Sequence, residues 1–161
     1  MTVQPRTVAI LVSNPALSSI LGMVLAATPS LRVRPFESLL ALSTYMRLAP
    51  VDLIVADLDG DGTGADLVAQ ALRSDKRVDS PHFQIIALAG AVTGETRTAA
   101  RRAGIDEVMV KPMSPRYLLE RVLARLHRSP VRSIRQGLPR HHGMNNVVPL
   151  FGPSRDPDPV H

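Results

Sequence analysis

The chain of 161 residues is 45% hydrophobic and 20% charged, enough for one domain around one core, and with no cysteine it excludes disulfides and thiolate metal sites. No apolar run reaches the ~18 residues of a membrane span, and Asn14 and Pro15 break the N-terminal apolar stretch too early for a signal peptide, so the cytoplasm is the expected compartment. The net charge of +5 divides into +2 over residues 1–127 (14 basic, 12 acidic) and +3 over residues 128–161 (five Arg, two Asp), which leaves the folded part nearly balanced and argues against a nucleic-acid partner.

In chain order, Thr7–Val12 (TVAILV) reads as a first strand, and Ala16–Ala27 as a helix with Leu17, Ile20, Leu21, Val24 and Leu25 on one stripe. Leu31–Arg34 (LRVR) alternates, as suits an edge strand with one face partly wet, and Ser38–Leu48 follows as a second helix carrying Leu39, Leu42 and Met46. Asp52–Ala56 (DLIVA) is a third strand, of the apolar type covered on both faces, with Ala65–Arg73 as its helix. Gln84–Leu88 (QIIAL) and the helix Gly94–Ala103, closed by Gly104, form a fourth unit. Glu107–Val110 (EVMV) reads as a short buried-type strand, followed by the helix Ser114–Leu126 with Pro115 in its first turn.

Five strand–helix units with right-handed crossovers give a doubly wound α/β domain over residues 1–127, with a flavodoxin-like parallel sheet in the order 2-1-3-4-5. Chemistry is expected beyond the carboxyl ends of the strands, at Ser13 and Asn14, Asp57 to Asp61, Ala89 and Gly90, and Lys111 with Pro112. Residues 128–161, rich in Pro, Gly, Ser and Arg, read as a disordered tail in which Val147–Phe151 (VVPLF) is the one apolar island. The tail is too short and polar for a helix-turn-helix, so output is expected through protein contacts or the tail itself.

Asp57, Asp59 and Asp61 follow the third strand, where acids serve as nucleophile or cation ligands but also as ordinary turn residues. Lys111 ends the fifth strand, where its ammonium either reaches a phosphoryl oxygen near Asp57 or is simply solvated. His127, His141, His142 and His161 lack the spacing of a metal site, and Arg128, Arg132, Arg135 and Arg140 lack the aromatic interleaving of a nucleic-acid surface. No GxGxxG, P-loop or Ser/His/Asp arrangement supports a cofactor-binding enzyme or a hydrolase of the same fold class.

The run Asp57–Arg73 (DLDGDGTGADLVAQALR), the fourth strand QIIALAG and the block AGIDEVMVKPMSPRYLLERV resemble the receiver domains of bacterial response regulators over residues ~5–127. The resemblance implies a non-enzymatic phosphorelay receiver, in which Asp57 accepts a phosphoryl group from a histidine kinase or phosphotransfer protein and Lys111 contacts that group. It also implies output through the fourth helix, fifth strand and fifth helix, where Arg101 and Arg102 lie close by, and it allows a homodimer. Three positions depart from the family pattern. Val12 and Ser13 stand where an acidic pair normally holds Mg²⁺, which leaves Asp57, Asp59 and Asn14, with Asp61 as a further candidate, for a weak Mg²⁺ site. Ala89 replaces the hydroxyl residue after the fourth strand, and Val108 replaces the aromatic of the fifth, so the usual switch is absent. These departures support an alternative, a degenerate pseudo-receiver that binds a partner independently of phosphate.

Overall fold

The computed structural model describes residues 4–59, 64–78 and 82–128. Asp61 and the segment beyond Arg128, with the expected disordered tail and VVPLF, lie outside the described residues.

Five units alternate as β1 (Arg6–Leu11), α1 (Pro15–Ala26), β2 (Leu31–Pro35), α2 (Leu39–Leu48), β3 (Leu53–Asp57), α3 (Ala65–Ser74), β4 (Gln84–Ala89), α4 (Gly94–Ala103), β5 (Glu107–Val110) and α5 (Pro115–Arg128). The strands form one parallel sheet in the expected order β2-β1-β3-β4-β5. Side chains alternate across it: Ile54 and Ala56 of β3 join Leu42 and Met46 of α2 and Val68 and Leu72 of α3 on one face, while Leu53 and Val55 meet Leu21 and Leu25 of α1 and Leu118 and Val122 of α5 on the other. Each of the Leu, Ile, Val and Met side chains among these, withdrawn from water, contributes about 1.5–3 kcal/mol of transfer free energy before chain entropy is counted.

Local signals explain the helix ends. Asn14, Ser38 and Thr93 cap α1, α2 and α4, each accepting the N–H three residues on, and Gly104 ends α4 at φ 84°, a left-handed conformation that glycine adopts without the Cβ penalty.

Three expectations need correction. The third strand runs one residue later than expected, so Asp57 is its last residue, inside the sheet, and Asp52 is the bend before it. EVMV, at the sheet edge as the expected order places it, is only partly buried: Met109 is buried, but Val110 is 49% exposed. A short run such as VMV has the same composition in the middle of a sheet and at its edge, and the topology separates the two. The last helix also continues two residues past Leu126, through Arg128.

Candidate functional site

Parallel pairing puts the ends of β3, β4 and β5 on one rim. Asp57 pairs in register with Leu88, the Leu58 N–H donates to the Leu88 carbonyl at 2.7 Å, and the Lys111 N–H donates to the Ala89 carbonyl at 2.7 Å. The Asp57 carboxylate is buried at 6% exposure, one of two buried polar residues among those described. Its Oδ1 accepts from Lys111 Nζ at 3.1 Å, and its Oδ2 accepts the Ser13 N–H at 2.8 Å. The peptide bond from Lys111 to Pro112 is cis. A buried carboxylate with one ammonium and one amide donor is a compensated group held at a strand end.

The other candidates are placed differently. Asn14 Oδ1 caps α1 by accepting the Leu17 N–H at 3.1 Å, and Asp59 Oδ2 accepts the Gly90 N–H at 2.8 Å. Val12 is buried in the core that α1 and α5 cover, and Ser13 is exposed. Ala89 is fully buried, while Val108 packs, partly buried, on the α2–α3–α4 side. Arg101, Arg102 and His127 are exposed.

As a cation site this set is sparse, two carboxylates and one amide. Mg²⁺ requires near-octahedral oxygen ligation. Asp57, Asn14 and Asp59 each direct side-chain oxygen to a different protein donor, and no group of three acidic or histidine side chains suited to a metal occurs among the described residues.

A groove of ≈ 610 Å³ between α3 and α4 begins beside this rim, lined by Asp59, Asp66, Gln70, Arg73, Thr96 and Arg102 among others, and includes neither Asp57 nor Lys111. Away from the rim, β5 is bound to α5 by ion pairs that the sequence reading did not find. Glu107 holds both Arg121 and Arg125, the latter pair at 2.7 Å, and Arg125 also donates to the Asp106 carbonyl. Burial opposes the Glu107 charge, but hydrogen bonds from Arg121 and Arg125 outweigh it and hold the carboxyl below its ordinary 4.5. The spacing of Arg121 and Arg125, one turn apart, was the available signal, but nothing local names their partner on a strand.

No family model and no curated protein matches the chain. Solved structures do. The BeF3-activated receiver domain of DrrB from Thermotoga maritima superposes with a TM-score of 0.66 at 18% identity, covering 78% of this chain and 100% of that one. A CheY-like response regulator receiver domain protein from Methanospirillum hungatei gives 0.67 at 17% identity over 77% and 95% of the two chains. An orphan response regulator of H. pylori gives 0.62 at 20% identity over 75% and 96%. The molecule is thus a doubly wound, flavodoxin-like α/β domain. More narrowly, its fold is that of the response regulator receiver, as the sequence resemblance led one to expect. No helix among the described residues is long and apolar enough to cross a membrane.

Proposed function

We propose that the chain is a phosphorelay receiver, in which Asp57 accepts a phosphoryl group from a histidine kinase or phosphotransfer protein and the α4–β5–α5 side carries the signal to a protein partner. The observation that supports it is the pair of buried Asp57 and Lys111 Nζ, 3.1 Å apart on the rim of a receiver fold. In the transfer, an Asp57 carboxylate oxygen attacks phosphorus, the P–N bond to the donor histidine breaks, and the imidazole nitrogen leaves with the electron pair. Lys111 then shifts its ammonium from the carboxylate to a phosphoryl oxygen and offsets the charge that accumulates there. The protein is on this reading an acceptor and not a turnover enzyme, it works in the cytoplasm beside its kinase, and it requires no nucleic acid.

A second reading, phosphate-independent partner binding, is favoured by one observation. Position 12 is absorbed into the core, so an acid there would be a buried charge rather than a cation ligand.

Incubation with acetyl phosphate and Mg²⁺, read by intact mass, separates the two. The natural protein is expected to gain a labile phosphate, Asp57→Asn none, and Lys111→Ala markedly less. A natural protein that stays unlabelled while folded overturns the acceptor reading and leaves the interaction module.

A further inference from the structure

The hydrogen bond between Asp59 and Gly90 stands on the same rim as Asp57. β4 lies between β3 and β5, Leu88 is the register partner of Asp57, and the Ala89 carbonyl is bound to the Lys111 N–H. The Gly90 amide therefore emerges at the strand end between those that carry Asp57 and Lys111. A phosphoryl group on Asp57 brings three acceptor oxygens and close to two negative charges, which need donors. Lys111 Nζ is one donor, the Ser13 N–H is already bound to the carboxylate, and Ala89 carries no hydroxyl. The Gly90 N–H, the first amide beyond β4, is a further donor on that rim, and Asp59 Oδ2 occupies it at 2.8 Å.

We infer that Asp59 is a gate on phosphoryl acceptance: its carboxylate fills the Gly90 amide in the unphosphorylated protein and must be displaced before a phosphoryl oxygen takes that donor. The displacement works against like charge, because the exposed Asp59 carboxylate and the incoming phosphoryl group are both anionic. Asp59 is thus a positioning residue that slows the reaction, acting through an amide and not on phosphorus. This inference rests on Asp57 being the acceptor.

The test labels four forms of the full chain with acetyl phosphate in Mg²⁺ buffer: the natural protein, Asp59→Asn, Asp59→Ala and Asp57→Asn. Asp57 attacks phosphorus, the P–O bond to the acetyl group breaks, and acetate leaves. Asp59→Ala is expected to label about tenfold faster than the natural protein, the size of removing one like charge from the same wet rim. Asp59→Asn, which keeps an acceptor oxygen but no charge, falls between and also serves as the variant least able to disturb folding. A ¹H–¹⁵N spectrum follows the Gly90 amide, which is expected to shift and exchange faster with solvent in Asp59→Ala and to stay close to its natural position in Asp59→Asn. Equal or slower labelling of Asp59→Ala, with Asp57→Asn blank, overturns the gate and leaves Asp57 as acceptor. No labelling of any folded form overturns the acceptor reading and the gate with it.

Discussion

The two ends of the parallel sheet are built on different terms. At the end where the strands begin, the carboxylates are tied to fixed structure: Asp52 accepts the Thr7 N–H at 2.7 Å and pairs with Arg6, Asp106 accepts the Ile85 N–H at 2.8 Å, and Glu107 is gripped by two arginines of α5. At the end where the strands finish, Asp57 and Asp59 hold one ammonium and two loop or strand-end amides. The first set joins strand to strand and strand to helix, so removing a member disturbs the fold. The second set consists of bonds that an anion from solution is able to replace one for one. Ionic braces thus stabilise one end of the sheet while the opposite end keeps exchangeable partners.

Opposite substitutions at the two ends break the comparison if it is wrong. Glu107→Ala removes the carboxylate that two guanidiniums share, Arg125 being only 12% exposed, and should cost about 3 kcal/mol in urea unfolding, as breaking a buried pair from one side does. Its labelling rate with acetyl phosphate should match the natural protein. Asp57→Asn should do the reverse, with labelling lost and stability reduced by about 1 kcal/mol. Equal stability losses at the two ends would remove the distinction.

Acid sharpens the same point. The folded pKa of Glu107 is held below 4.5, so the stability it contributes is fully present above that pH and is lost as pH falls through the lowered folded value, where the unfolded chain has already taken up its proton. Unfolding free energies measured from neutral pH down through 4.5 and below should therefore fall more steeply for the natural protein than for Glu107→Gln. Parallel curves would mean that the arginines do not hold the charge.

The sheet was legible because doubly covered strands are nearly continuous apolar runs, as in Leu53–Ala56, and because crossovers leave few orders for five such runs. Asp57 and Lys111 were legible for a related reason: each closes an apolar run, and parallel strands put those closing residues on one rim. The exposure of Val110 was not, since EVMV reads as a buried-type strand even though the expected order already sets it at the sheet edge. Nor was the Asp59 contact with Gly90, because it joins residues 31 apart through the register of β3 and β4. The cap formed by Asn14 was not read either, although its signal was present: an Asn directly before a Pro that opens an apolar helical stripe is well placed to cap it.

Gly104 gives a smaller effect on the α3–α4 side. Its φ of 84° penalises any Cβ, and an added Cβ would approach Arg73 Nε to 2.9 Å, where Arg73 also donates to the Gly104 carbonyl and lies 4.6 Å over the Phe83 ring. Gly104→Ala should cost about 2 kcal/mol, while Arg73, a flexible side chain, is able to move aside in part. A loss of only a few tenths of a kcal/mol would show that Gly104 is not needed for the turn.

The smallest effect separates two roles for Asn14. As a cap, its Oδ1 satisfies the Leu17 N–H at the start of α1, where Pro15 already removes one unpaired donor. Asn14→Ala should then lower stability by about 1 kcal/mol, a few degrees in thermal midpoint for a domain of this size. Asn14→Asp should restore it, because aspartate caps as well as asparagine and its charge suits a helix N-terminus. If Asn14 served the pocket instead, Asn14→Ala would leave the midpoint unchanged and weaken Mg²⁺-dependent stabilisation. Unfolding scans with and without Mg²⁺ read both quantities. With the cap in place of the ligand, the midpoints of the natural protein and Asn14→Ala should shift in parallel when Mg²⁺ is added, and divergent shifts would return Asn14 to the cation.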